Sequence, residues 1–243
     1  MFLLLIHALV GCRAPDSPSP LRIHAAASLS SVTPALLADF SADVTGEFNF
    51  ASSSILARQL EHGIESDVYL SANLKWMDYI EGKDLIQSGL RSDHIQNQLV
   101  LIVPKGNPKI NIADLDTESV HTVAMGDWHH VPAGIYAKEA LESMNLWPTI
   151  QTKSIAAMDV RAAMTYVERK AVSVGIVYKT DALISNKVQI SAAFPHENQP
   201  DIRYSVALLE KSTHPQALAF YRYLSSKRAR AIFEKHGFVF QMQ

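Results

Sequence analysis

The sequence predicts an α/β fold with mainly parallel sheets flanked by helices, and three observations carry that prediction. From residue 21 onward, short apolar runs of strand length alternate with apolar residues at helical spacing. Connections of this kind return each strand parallel to the last. Four of the apolar stretches also run into small residues and hydroxyls just before a helical pattern starts. These junctions are Ala25-Ala26-Ala27-Ser28-Leu29, Phe50-Ala51-Ser52-Ser53-Ser54, Val131-Pro132-Ala133-Gly134 and Ala157-Met158-Asp159-Val160. Finally, 243 residues with 48% hydrophobic and 19% charged side chains suffice for one large domain or two modest ones.

Taken in order, residues 23–27 read as a buried strand, and Leu29, Val32, Leu36, Leu37 and Phe40 follow at helical spacing. Pro34 must then sit in the first helical turn, where its missing N–H costs little. Residues 48–50 read as a short strand, followed by a helix carrying Leu56 and Leu60 and stopped by Gly63. Residues 67–71 form a strand with Val68 and Leu70 on one face, and Trp76, Met77 and Ile80 mark the next helix. Residues 99–103 are a strongly apolar strand ending in the loop Pro104-Lys105-Gly106-Asn107-Pro108.

A second set follows. Residues 120–125 read as a strand, 135–144 as a helix, and Val160, Ala163, Met164 and Val167 as a helical stripe. Strands are expected at 174–178, 188–194 and 204–209, with a polar loop at 195–201. Helices at 215–224 and 227–236 close the chain, with Gly237 as the last C-cap. No short repeat is visible.

Composition excludes several function classes. A net charge of -2 gives no electrostatic case for nucleic acid or an acidic membrane as partner. No apolar run reaches about eighteen residues, which excludes a spanning helix. The first 20 residues stand apart: Met1 to Gly11 is apolar except for His7, and it ends at Cys12, the single cysteine. A tether rich in proline and serine follows. The run resembles the h-region of a secretory signal, and Leu9-Val10-Gly11-Cys12 resembles a bacterial lipobox with Cys12 as the lipidated residue. The basic residues usual before such a run are missing. Export is the expectation, with no disulfide in the mature body.

The junctions carry the chemistry. A helix start leaves N–H groups unpartnered and bears partial positive charge, so several converging starts would hold an anion without a cationic side chain. A fully deprotonated tetrahedral oxyanion has acceptors only, so its site should offer donors only. Ser28 and Ser53 supply hydroxyls, Ala133 and Val160 supply main-chain N–H, and Tyr178, ending a strand, adds a phenol. Each residue has a plainer reading alone: either serine as an N-cap, Asp159 as a cap, Tyr178 as half-buried core. Other signals are weaker. His129-His130 lacks a third ligand at metal spacing and reads as loop. No Gly-x-Ser-x-Gly turn or glycine-rich phosphate loop is present, so hydrolase and nucleotide chemistry have no support. Trp76, Trp128 and Trp147 read as packing residues, and Lys227, Arg228 and Arg230 as a solvated face. On these residues alone, an anion binder and an unspecified α/β protein both remain open.

The ordered motifs resemble the molybdate-binding proteins of bacterial ABC transporters from about residue 21 to the C-terminus. To the junctions above the resemblance adds Leu56-Ala57-Arg58-Gln59, Lys75-Trp76-Met77-Asp78-Tyr79, the run from His130 to Leu141, Asp159-Val160-Arg161 and Gly175-Ile176-Val177-Tyr178. It implies a two-lobed periplasmic-binding-protein fold of type II, with the ligand in the interlobe cleft. The implied division is 1–20 as signal and tether, 21–101 plus 203–243 as the first lobe, and 102–202 as the second. The chain would cross twice, and its last helices would return to the first lobe. Also implied are molybdate, and tungstate with it, as ligand, bound by Ser28, Ser53, Ala133, Val160 and Tyr178 through hydrogen bonds. No metal–protein bond, cofactor or catalysis is implied; a membrane permease is the partner, and the protein is an extracytoplasmic monomer. Trp128-His129 stand where the family commonly shows Pro-Glu. Rivals are a sulfate binder of the same class, an enzyme on the same layout, and the sensing domain of a regulator.

Overall fold

A computed structural model describes residues 19–240. Cys12 and the rest of the expected signal and tether up to residue 18 lie outside the described residues. The first part of the chain runs β1 (Leu21–Ala26), α1 (Thr33–Phe40), β2 (Gly46–Ala51), α2 (Ser53–Glu61), β3 (Val68–Ser71), α3 (Leu74–Glu81) and β4 (Ile86–Gln96). The middle part comprises β5 (Leu99–Pro104), β6 (Val123–Gly126), α4 (Pro132–Ser143), α5 (Trp147–Lys153), β7 (Ser154–Ala157), α6 (Val160–Glu168), β8 (Val174–Tyr178), α7 (Lys179–Ile184) and β9 (Val188–Ala193). The last part is β10 (Arg203–Leu209), α8 (Ala217–Leu224), α9 (Lys227–Lys235) and β11 (Val239–Phe240).

Two sheets result, ordered β11-β4-β10-β3-β1-β2 and β7-β6-β8-β5-β9. β5 and β8 are apolar throughout and β1 apart from Arg22 and His24, and all three are buried almost throughout on both faces, as central strands covered by helices require. The core runs through both sheets, and a smaller cluster of Leu56, Leu60, Tyr69, Trp76, Met77 and Ile80 seals α2 and α3 onto the first. Among the described residues no helix is long and apolar enough to cross a membrane.

The α/β, two-lobed class holds, with one difference in the sheets. β2-β1-β3 and β7-β6-β8 are parallel, whereas β10, β4, β11, β5 and β9 pair antiparallel. The antiparallel strands are those at and beyond the chain crossings: each sheet takes in one strand arriving from the other, running against its neighbours. The expected boundary at residue 101/102 also moves. β5 pairs along its length with β8 and β9, so residues 99–101 belong to the second sheet and the crossing falls at 97–98. A strand cannot be divided between sheets without breaking its hydrogen-bond ladder. The return crossing ends where β10 begins at Arg203. α8 packs against α1 and β10, and α9 against α1 and β11.

Local signals explain the boundaries. Pro34 lies in the first turn of α1. Gly63 and Gly237 follow α2 and α9 with φ of 85° and 88°, the left-handed geometry that ends a helix cheaply with glycine. The strand at 120–125 begins only at Val123, and the helix at 135–144 starts earlier, at Pro132.

Candidate anion site between the lobes

All six parallel strands aim their carboxyl ends at one cavity, the place where open α/β sheets hold ligands. It is lined from the first lobe by Ala26, Ala27, Ser28, Ser52, Ser53 and Ala72. The second lobe adds Val131, Pro132, Ala133, Asp159, Val160 and Tyr178. The structure therefore brings together all five residues singled out in the sequence, each at most 4% exposed. The space they line is small, about 10 Å³ for the centre of a water-sized sphere. That is room for about one water-sized group, so the space suits a small ligand and not an extended organic one.

Each junction is built by a short-range device. Ser52 is the N-cap of α2, its Oγ accepting from Ile55 N, which leaves Ser53 free of the capping role. Ser53 Oγ instead accepts the N–H of Ala72, at the end of β3, at 2.9 Å. Its one proton remains for the cavity. Asp159 caps α6, with Oδ1 accepting from Ala162 N at 2.8 Å, as the plainer reading expected. Although its residue lines the cavity, that carboxylate oxygen is committed to the helix. The first intrahelical bond of α4 runs from Ile135 N to Val131 O, so the N–H groups of Ala133 and Gly134 have no acceptor within the helix. Gly134 is what lets α4 sit there: a Cβ on it would stand 2.0 Å from Gly126 O.

Tyr178 is the most telling member. It is 1% exposed, and its hydroxyl has no hydrogen-bond partner among the described residues. A buried hydroxyl without a partner costs about 1–3 kcal/mol, so its presence at a cavity wall marks a donor kept for something else. Burial, then the neighbouring Tyr204, raises its pKa well above the usual tyrosine value, so the phenol stays protonated. Ser28 Oγ lies 2.8 Å from the hydroxyl of Tyr204, itself buried and protonated for the same leading reason.

Among the described residues the one charged side chain on the cavity wall is Asp159, and no cationic side chain lines it. Arg161, next to Val160, forms an ion pair through Nε with Asp181, which is fully buried. Burial raises the Asp181 pKa to about 6, and Arg161 opposes that rise. Arg161 Nη2 also reaches Ser28 O across the cleft at 3.4 Å. Two further contacts join the lobes. Trp76 Nε1 donates to His130 O at 2.8 Å, and Ser54 Oγ meets His130 Nδ1 at 3.0 Å. Trp76 and His130 thus do more than pack or fill a loop. Trp128 packs edge-on against Trp147, with ring centroids 5.4 Å apart, on the approach to Ala133. Ala72 is a cavity residue that the sequence reading missed. The small, polar stretch Ser71-Ala72-Asn73 after a buried strand was the signal for it.

The profile of the bacterial extracellular solute-binding proteins matches residues 21–239. The Molybdate-binding protein ModA of Escherichia coli (strain K12) is 38% identical over 227 residues, covering 90% of this chain and 88% of that protein. Its counterpart in Haemophilus influenzae is 36% identical over 196 residues, covering 79% and 77%. The solved periplasmic molybdate-binding protein of Azotobacter vinelandii matches with a TM-score of 0.81 over 91% of this chain and 100% of that one. At 18% identity that is a likeness of fold alone. The chain belongs to the bacterial extracellular solute-binding protein family, within the group of its molybdate-binding members.

Proposed function

We propose that this chain binds molybdate, and tungstate with it, in the cavity between its lobes and delivers the anion to a membrane permease of an ABC transporter. The carrying observation is the buried hydroxyl of Tyr178, unpartnered among the described residues, in a lining that also holds the Ser28 and Ser53 hydroxyls and whose one carboxylate, Asp159, caps α6. Ser28, Ser53 and Tyr178 would give hydroxyl donors, and Ala133 and Val160 main-chain N–H groups at the starts of α4 and α6. Hydrogen bonds to an ionised acceptor are roughly twice as strong as neutral ones, so fixed neutral donors suffice in a dry site. The chain carries out no reaction on the anion and needs no cofactor. The lobes, 21–96 with 203–240 and 99–193 by their sheets, would close over it. Export as a monomer, with a lipid anchor at Cys12, completes the reading.

Thermal unfolding with molybdate, tungstate, sulfate and phosphate in turn tests it. A ligand at about a thousand times its Kd stabilises by roughly 4 kcal/mol, about 8–16 °C in the midpoint of a domain this size. A shift with molybdate and tungstate alone supports the assignment. A shift with sulfate instead keeps the site and changes the anion, and no shift with any of the four refutes the oxyanion reading. Mass spectrometry of membrane-fraction protein tests the anchor: an unmodified Cys12, or one still preceded by the leader, refutes it.

A further inference from the structure

A serine hydroxyl can turn either its proton or a lone pair toward a ligand, and only the proton serves an anion. We propose that Asn97 and Tyr204, which do not line the cavity, are positioning residues that force the Ser28 proton into it. This inference rests on the anion-binding reading above.

The chain of bonds has one consistent direction. Asn97 Oδ1 accepts the N–H of Gln98 at 2.9 Å, which fixes the amide orientation, because a flipped amide would set two donors against each other. Asn97 Nδ2 therefore faces Thr180 Oγ1 at 2.9 Å and the Tyr204 hydroxyl at 3.1 Å, and donates to both. The Tyr204 oxygen accepts, so its single proton must go elsewhere. Ser28 Oγ, at 2.8 Å, is the one other partner that oxygen has among the described residues. Were Ser28 to donate to Tyr204 instead, a buried phenolic proton would have no acceptor, at a cost of about 1–3 kcal/mol. Ser28 Oγ thus accepts from Tyr204, and its own proton is left for the cavity.

The tyrosine is held for this task. Its ring lies 5.7 Å from that of Tyr178 and 5.4 Å, edge-on, from that of Phe238. Asn97 sits in the crossing between β4 and β5, and Tyr204 lies just past the return crossing, on β10. Both passages of the chain between the lobes therefore take part in setting the polarity of the site. With Ser28, Ser53 and Tyr178 all presenting protons, a ligand proton directed at any of them would meet a donor.

A double-mutant cycle tests the proposal, because a residue acting through Ser28 has nothing to act on once that hydroxyl is gone. Kd for molybdate is measured by calorimetry for the wild-type chain, Tyr204→Phe, Ser28→Ala and the double variant, with the unliganded midpoint of each recorded. Tyr204→Phe is expected to weaken molybdate about tenfold with Ser28 present and to change Kd by less than about twofold in the Ser28→Ala background. Asn97→Ala should repeat the pattern with a smaller loss. An equal loss in both backgrounds would make Tyr204 a purely structural residue and overturn the proposal, as would no loss in either. If the wild-type chain takes sulfate rather than molybdate, the same cycle run with sulfate separates the two outcomes in the same way. A wild-type chain that binds neither overturns the anion reading itself, which keeps that failure distinct from failure of the positioning role.

Discussion

Replacing Tyr178 with phenylalanine should move stability and affinity in opposite directions, a combination that an ordinary core tyrosine would not produce. The hydroxyl is buried and has no partner among the described residues. Its removal breaks no internal hydrogen bond and leaves a ring of nearly the same shape against Tyr204. The unpaired group carries a desolvation cost of about 1–3 kcal/mol, so the unliganded variant should melt at or above the wild type, by up to about 2–4 °C for each kcal/mol relieved. In the complex the same change deletes one hydrogen bond to a charged acceptor, worth about 1.5–3 kcal/mol, or roughly 10- to 150-fold in Kd. Calorimetric titration with molybdate and scanning calorimetry of the unliganded protein read the two effects separately. A lowered midpoint with unchanged affinity would show that the hydroxyl is a structural group and that the cavity is not the anion site.

Ser53→Ala supplies the contrast. It should weaken molybdate by about 1.5–3 kcal/mol, and it also strips the acceptor from Ala72 N–H, costing the unliganded protein about 1–3 kcal/mol. Titration and melting of that variant should fall together, and unchanged affinity would mean that the site is misplaced. His24 predicts an acid weakness unrelated to the ligand. Burial, then the charge of Arg22, lowers its pKa from 6.5 to about 4. The unfolded chain therefore binds the proton more readily between those values: the stability from this group is complete above about pH 6.5 and is lost as pH falls toward 4. The loss amounts to about 3 kcal/mol. Urea unfolding at pH 7 and pH 4.5 should show it in the wild type and much less in His24→Gln; equal pH slopes would count against it.

The parts of this fold legible in the sequence were those whose burial is one-sided or complete. β5 and β8 are unbroken apolar runs, β1 is apolar apart from Arg22 and His24, and α2, α3 and α6 carry a clear stripe. β4 left no such trace: its sequence IQSGLRSDHIQ holds Gly89, Arg91 and Asp93, and it is half-exposed for most of its length. β7 is a four-residue edge strand, and α5 and α7 are too short to show a period. The five proposed contacts were legible because each is made by local sequence, a strand end running into a turn or helix. Asn97 and Tyr204 were not, because their effect on Ser28 comes from crossings far along the chain. The antiparallel half of each sheet escaped for the same reason, since its strands pair with distant partners.

The sequence shows no repeat, yet, apart from β11 added at the edge of the first, the two sheets have the same topology. Read from one edge, the first runs β2-β1-β3-β10-β4 and the second β7-β6-β8-β5-β9, with the parallel and antiparallel pairings in the same places. The cavity residues fall into corresponding positions. Ser28 and Ala133 follow the middle strand of each parallel trio, Ser53 and Val160 follow the edge strand, and Ala72 and Tyr178 follow or end the third. In the first lobe the edge position offers the Ser53 hydroxyl; in the second it offers the Val160 N–H at the start of α6. At the third position, Ala72 spends its N–H on Ser53, whereas Tyr178 keeps an unspent hydroxyl. What the two lobes share is therefore the direction of their strand ends and not a residue type, and residue types are what a search for repeats compares. Two such edges facing each other enclose a small space with donors from both sides. A compact anion there would be bound by both lobes at once, and only when they are together.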